Sequence, residues 1–130
     1  MNATSRLFCG LGALFVAAAT MLGAFGTHSL EDVLTADQMN TFQSGVSYHF
    51  YQALGLFAVA FAADRFPASR LPRWSGWLIV AGIFFFSGSI YLLTFGAPRA
   101  VVMVAPLGGL SFMVAWLLLA IAAFKSPSSN

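Results

Sequence analysis

Apolar and polar positions divide the chain into four long segments that carry no formal charge. These segments are 24 to 26 residues long and cover residues 7–30, 38–63, 74–98 and 100–124. At about 1.5 Å of rise per residue, a helix of that length exceeds the roughly 30 Å hydrocarbon core of a bilayer. Strands of a membrane barrel would alternate apolar and polar residues, and the apolar run 117–124 does not alternate. The pattern therefore predicts four transmembrane helices.

Capping signals place the ends of these helices. The sequence Thr35-Ala36-Asp37-Gln38 has the form of a capping box and predicts the start of the second helix. Ser29-Leu30-Glu31-Asp32 resembles a second box and predicts a short interfacial helical turn between the first two helices. The expected fold is all-α: one integral membrane domain over residues 1–130, a bundle with transmembrane helices at about 7–26, 36–63, 74–94 and 100–124.

The first helix is rich in small residues on two of its faces. Gly12, Ala19 and Gly26 lie on one face, and Gly10 and Ala17 lie on a neighbouring one. Small side chains let helices approach closely in lipid. We therefore expect this helix to be central, with more than one neighbour.

A proline interrupts the fourth helix near its start. Pro106 has no N–H with which to bond the carbonyl of Val102, and Gly108 and Gly109 follow it closely. Proline inside a helix removes a backbone hydrogen bond and bends the helix. The sequence therefore predicts a kink at this position.

Composition supports the membrane interpretation. Apolar residues make up 59% of the 130 residues and charged residues only 8%, against roughly 25% charged in a soluble domain. A water-soluble globule and a nucleic-acid binder are excluded, since both need more polar or basic surface. Cys9 is the only cysteine, so the chain cannot form an internal disulfide.

The positions of the basic residues predict the orientation in the membrane. Five of the six lie on one side of the predicted bundle and only Arg99 lies on the other. Because Lys and Arg are retained in the cytoplasm, both termini are predicted to be cytoplasmic in the plasma (inner) membrane. A cleaved signal peptide is the alternative for the first segment, but its apolar stretch, residues 7–25, is longer than a usual signal core.

Four short motifs resemble a known family. They are Gly23-Ala24-Phe25-Gly26-Thr27-His28-Ser29-Leu30, Tyr48-His49-Phe50-Tyr51-Gln52-Ala53-Leu54, Phe86-Ser87-Gly88-Ser89-Ile90-Tyr91 and Pro106-Leu107-Gly108-Gly109. Together they resemble small bacterial inner-membrane proteins of the YgdD type, grouped as a domain of unknown function, over nearly the whole chain. The resemblance implies four membrane helices and supplies no reaction, cofactor or catalytic residue.

Polar residues of the spans concentrate on the side opposite the termini. The candidates for an outer-leaflet polar pocket are His28, Tyr48, His49, Gln52, Ser87 and Tyr91. Polar groups in lipid face the bundle interior and find partners there. Two interpretations remain: interhelical hydrogen bonds that only hold helices together, or a small pocket that binds a lipid headgroup, a quinone-like molecule or a small solute.

The spans lack the groups that catalysis requires. No carboxylate lies within the four charge-free segments, so no acid can orient His49, and a serine near it does not complete a triad. His28 and His49 without a supporting carboxylate are weak evidence for a metal or haem. We therefore predict no enzyme activity, catalytic residue, metal or cofactor.

The sequence thus favours a multi-pass membrane protein acting as a structural or accessory membrane component. The alternative is a binding or transport module that uses the outer-leaflet pocket. The expected partners are the lipid bilayer and either a second copy or a larger membrane complex, with no nucleic acid.

Overall fold

The computed structural model describes residues 1–126, which form four long helices with short connections. Helix α1 covers Ala3–Ser29, α2 covers Ala36–Arg65, α3 covers Leu71–Thr94 and α4 covers Arg99–Lys125. Each is long and apolar enough to cross a bilayer, which confirms the predicted all-helical membrane bundle. The predicted ends lie within four residues of the observed ones.

One of the two predicted capping boxes is present. The Thr35 hydroxyl accepts a hydrogen bond from the Gln38 amide, and the Gln38 side chain accepts one from the Thr35 amide, which confirms this helix start. The box predicted at Ser29 is wrong, because Ser29 is the last residue of α1. The interfacial turn is formed instead by a 3.0 Å hydrogen bond from the Leu34 amide to the carbonyl of Leu30.

Helices α2 and α3 form the centre of the bundle, and α1 and α4 each pack against them. In the most apolar stretch of α2, 44% of the residues are buried inside the protein, whereas in that of α1 only 17% are buried. The expectation that the first helix is central is therefore wrong. Only one of its small-residue faces is packed: a Cβ added at Gly12 would meet Leu56, whereas one added at Gly10 would meet nothing within 4 Å.

Helix α3 contains an irregular segment that the sequence pattern does not predict. Its α-helix runs over Leu71–Gly82, changes to a π-helix over Ile83–Gly88 and resumes over Ser89–Thr94. This segment lies where α4 approaches most closely, since a Cβ on Gly108 would lie 2.5 Å from the Phe86 amide nitrogen. A π-turn inserts an extra residue and redirects the side chains that follow it.

Helix α4 continues through Pro106, and a neighbouring residue supplies the hydrogen bond that proline cannot donate. It begins as a 3-10 helix over Arg99–Val104 and becomes α-helical at Ala105, so the proline occupies the first α-helical turn. The Ala105 amide donates to the carbonyl of Val102. Pro106 itself donates no bond to this carbonyl, as its missing N–H requires; the tighter winding supplies Ala105 as the donor instead, and proline is tolerated in a first turn. The kink expected at this position stays a prediction.

The two ends of the bundle carry opposite charges. The end called the basic end here holds the following cations: Arg6, Arg65, Arg70, Arg73 and Lys125. The other, called the acidic end, holds Glu31, Asp32 and Asp37. At the basic end the Asn2 side chain donates a hydrogen bond to the Ala63 carbonyl, and the Asn2 backbone N–H donates one to the Asp64 carboxylate, both at 2.8 Å. These two bonds join the start of α1 to the end of α2.

Candidate functional site

His49 of α2 and Tyr91 of α3 form a polar side-chain pair inside the bundle. His49 lies in the middle of α2 with 4% of its surface exposed. Its Nδ1 is 2.9 Å from the Tyr91 hydroxyl on α3, a distance that makes a hydrogen bond in either direction. The Phe15 ring packs edge-on against the imidazole, and the Phe42 ring packs against Tyr91. Each member of the pair is therefore flanked by an aromatic ring.

The second nitrogen of the His49 ring, Nε2, is also buried and has no hydrogen-bond partner among the described residues. A free imidazole nitrogen could act as an acid, a base or a ligand if a molecule could reach it. The clearest cavities of residues 1–126 lie at the ends of the bundle, and none of their linings includes His49 or Tyr91.

Two other candidates bond to neighbours of their own. The Ser87 hydroxyl, fully buried in the π-helical segment, donates to the carbonyl of Gly45 at 2.7 Å. The Gln52 side-chain oxygen accepts a 2.8 Å hydrogen bond from the Trp116 indole of α4. His49 and Gln52, which the sequence places on one face of α2, therefore turn towards different helices.

The remaining candidates lie on the surface of the bundle. Tyr48 is 46% exposed, and its ring packs edge-on against Phe86 at 5.0 Å between centroids. His28 is exposed in the last turn of α1. The structure therefore brings His49 to Tyr91 but places Ser87, Gln52, Tyr48 and His28 in separate surroundings.

Three hydrogen-bonding residues were missed by the sequence reasoning. The buried Ser75 hydroxyl donates to the carbonyl of Ala115, and the Ser111 hydroxyl donates to that of Leu78, so both join α3 to α4. Trp116 is the third, through its bond with Gln52. The available signal was a serine close to glycine, Ser75-Gly76 and Gly108-Gly109-Leu110-Ser111, because small residues mark helix contacts in lipid.

A groove opens at the acidic end between α1 and α2. Its volume is about 250 Å³, and its lining includes Thr27, Gln43 and Ser47. The Thr27 hydroxyl donates to the Gly23 carbonyl of its own helix at 3.0 Å. The groove contains none of the six candidate residues, so it does not extend the polar cluster into a pocket.

The described residues contain no cluster suited to a metal ion. Within residues 1–126, no three side chains of His, Cys, Asp or Glu come together. His28 is exposed at the end of α1, whereas His49 is buried beside Tyr91. Structural metal sites generally need three or four such ligands.

Residues 22–109 match the family described as a protein of unknown function, DUF423. The matched region covers more than half of the chain and contains the six candidate residues His28, Tyr48, His49, Gln52, Ser87 and Tyr91. The chain belongs to the DUF423 family. The resemblance to a membrane family of unknown function is thereby confirmed, whereas the finer YgdD designation stays an expectation.

Curated relatives extend the DUF423 match beyond these residues. The chain is 41% identical over 120 residues to the UPF0382 membrane protein YwdK of Bacillus subtilis, covering 92% of this chain and 98% of that protein. It is 38% identical over 107 residues to a UPF0382 membrane protein of Haemophilus influenzae, covering 82% and 85%. The chain is thus a multi-pass membrane protein of a family whose molecular activity is unknown.

No solved structure matches the chain. The DUF423 relatives are named as membrane proteins, which agrees with the four membrane-spanning helices.

Proposed function

We propose that the chain is a non-enzymatic structural or accessory component of the plasma (inner) membrane, with both termini in the cytoplasm. The observation that carries the proposal is the use made of its intramembrane polar groups. Ser75, Ser87 and Ser111 each donate to a backbone carbonyl of a neighbouring helix. Hydrogen bonds of this kind hold helices together in lipid, where no water competes for them.

The surroundings of His49 support the same proposal. An enzyme or transporter needs a path by which a molecule reaches its polar groups; His49 is 4% exposed, and aromatic rings from α1 and α2 pack against this histidine and against Tyr91. The distribution of charge supports the orientation, because five of the six basic side chains lie at the end that holds the amino terminus.

An accessory component also needs a surface for association. We propose that the chain assembles with a second copy or with a larger membrane complex. Support comes from the second small-residue face of α1, where Gly10, Ala13 and Ala17 are exposed on the bundle surface. Small side chains allow a further helix to approach closely.

Cysteine accessibility tests the proposal, because Cys9 is the only native cysteine and Cys9→Ala gives a clean background. We expect a water-soluble maleimide to leave His49→Cys and Ser87→Cys as unreactive as Val59→Cys, which lies in the aliphatic core. Asp37→Cys, in the first turn of α2, is the reactive control. Labelling of positions 49 and 87 at the rate of position 37 would mean a water-filled pocket, and the accessory role would be replaced by the binding or transport alternative.

The same reagent tests the orientation in intact cells. An impermeant maleimide added from outside should label Asp37→Cys at once. Ala68→Cys, in the exposed connection between α2 and α3, should react only after the membrane is permeabilised. The reverse result would place the termini outside the cell.

A further inference from the structure

The basic end holds a cavity between the last turns of α2 and α4. Its volume is about 390 Å³, and its cationic lining residues are Arg65 of α2 and Lys125 of α4. The connection after α2 supplies Phe66 and Ser69 to the same wall. A volume of this size lies within the ordinary range for small-ligand sites. Two cations that are far apart in sequence thus converge on one concave surface.

These two cations face no carboxylate in the part of the chain that the structure describes. Asp64 is the one acid at the basic end, and it is engaged elsewhere: it accepts from the Asn2 amide at 2.8 Å and lies 4.0 Å from the amino terminus. Within residues 1–126, that is the one ion pair formed. The lining of the cavity, taken over residues 1–126, therefore carries two positive charges and no negative one.

Uncharged groups complete the wall of the cavity. Ser69 accepts a hydrogen bond from the Leu71 amide through its hydroxyl oxygen, so its own proton stays available for another acceptor. The guanidinium carbon of Arg65 lies 5.8 Å from the centre of the Phe66 ring, close enough for a cation–π contact that orients the side chain. The wall combines two cations, a hydroxyl donor and apolar surface, which suits an anion that carries several oxygens and an apolar remainder.

The cavity lies where the hydrocarbon-spanning parts of α2 and α4 end. The charge-free stretch of α2 ends at Ala63, and that of α4 ends at Phe124, each directly before charged residues that line or neighbour the site. Each Lys or Arg near a membrane surface strengthens the binding of anionic lipids by about fivefold. Two such contributions would bind a dilute solute only weakly. They are sufficient to retain a lipid, because a lipid is already concentrated in the leaflet beside the cavity.

We propose that this cavity binds the phosphate headgroup of an anionic phospholipid from the adjacent leaflet, with Arg65 and Lys125 as the two cationic contacts. The location of both cations in the last turn of a helix also stabilises those helix ends, but this accounts for their position in sequence and not for the cavity between them. The lipid site stands independently of the accessory role proposed above.

Lipid binding by the full chain in mild detergent tests the site. Native mass spectrometry would follow titration with phosphatidylglycerol and with phosphatidylcholine of the same acyl chains. We expect the unaltered chain to prefer phosphatidylglycerol. Arg65→Gln and Lys125→Gln should each weaken phosphatidylglycerol binding by about fivefold, and the double variant should weaken it by roughly 25-fold. Binding of phosphatidylcholine should not change.

Arg6→Gln is the matched control. It removes one positive charge from the same end, and Arg6 is exposed but does not line the cavity. We expect this variant to bind phosphatidylglycerol like the unaltered chain. An equal loss in Arg6→Gln would reduce the effect to net charge and overturn the site, as would equal binding of the two lipids by the unaltered chain.

Two further measurements distinguish a bound lipid from a soluble anion and a lost contact from a folding defect. Millimolar inorganic phosphate should not displace phosphatidylglycerol. Full displacement would identify a soluble anion as the ligand and overturn the lipid assignment.

Lys125 is exposed, so the Lys125→Gln variant tests the site without disturbing the bundle if Arg65→Gln unfolds. Arg65→Lys keeps the charge and should retain most of the binding, and a loss as large as that of Arg65→Gln would contradict the charge-based proposal.

Discussion

The contact between α1 and α2 and the contacts among α2, α3 and α4 are built by different means. Between α1 and α2, small residues allow close approach: Gly12 lies against Leu56, and Gly26 lies against the Phe42 ring. The hydrogen bonds found between these two helices lie at the basic end, where Asn2 meets α2. Among α2, α3 and α4, close glycine contacts are combined with hydrogen bonds inside the span.

This difference shows which interactions carry association in each region. Without a hydrophobic effect between helices in lipid, close packing and interhelical hydrogen bonds are the main attractive terms. Helix α1 depends on the first of these, and the other three helices use both. Substitutions that enlarge a glycine should therefore have larger effects than those that delete one hydrogen bond, and this order can be measured.

The largest effect is expected from Gly108→Ala. An added Cβ would lie 2.5 Å from the Phe86 amide nitrogen and 2.8 Å from the Gly82 carbonyl oxygen, and neither backbone atom can rotate away. We expect a loss of about 3 kcal/mol in the free energy of unfolding, measured in mixed micelles by circular dichroism. Gly109→Ala, which has open space around it, should lose almost nothing. Equal effects of the two substitutions would contradict the close contact of α3 and α4.

A smaller loss is expected at the contact of α1 with α2. In Gly12→Ala the new Cβ would lie 3.2 Å from the Leu56 Cβ and 3.3 Å from the Ala53 carbonyl oxygen, so the helices must separate by a few tenths of an ångström. We expect about 1.5 kcal/mol of destabilisation in the same unfolding assay. Gly10→Ala is the control: its Cβ meets no atom of the same bundle, so the unfolding of monomeric protein should not change, whatever the variant does to association through this face. A loss at Gly10 equal to that at Gly12 would show that both faces of α1 are packed.

The His49 and Tyr91 pair should contribute about 1 kcal/mol. A double-mutant cycle of His49→Phe and Tyr91→Phe isolates the coupling between the two side chains from the effect of each substitution alone. Hydrogen bonds between membrane helices average about 0.6 kcal/mol and reach about 1.7, and burial of His49 favours the upper half of that range. Unfolding free energies of the four proteins give the coupling. A coupling energy near zero would show that this pair does not help to hold α2 to α3.

The smallest measurable effect is expected for Ser87→Ala. This substitution removes the bond from the serine hydroxyl to the Gly45 carbonyl, and we expect a loss of about 0.6 kcal/mol. Thr94→Ala is the control, because the Thr94 hydroxyl bonds to the Ile90 carbonyl of its own helix and joins no second helix. If the two variants unfold at the same denaturant concentration, the Ser87 bond contributes nothing to helix association.

Several features of the candidate site could be predicted, and others could not. The burial of polar groups inside the bundle follows from the cost of exposing them to lipid, which applies at any position in a span. The choice of partner does not follow in this way. Ser87 bonds to Gly45, which is 42 residues away in the sequence, and Ser87 lies in a π-helical segment that the local sequence Ile83–Gly88 does not indicate. The donor that replaces Pro106 could not be predicted either, because it depends on the 3-10 turn before the proline.

The sequence by itself determined the solvent of this protein and the number of its membrane helices. A bilayer requires each span to satisfy its own backbone and to exclude charge over about 20 residues, a demand that each segment meets alone and that composition reveals. Only the tertiary structure decided that α1 is peripheral, that His49 meets Tyr91 and that Arg65 and Lys125 line one cavity. These outcomes depend on how the surfaces of distant helices fit together, and shape complementarity is a property of pairs of helices and not of single segments.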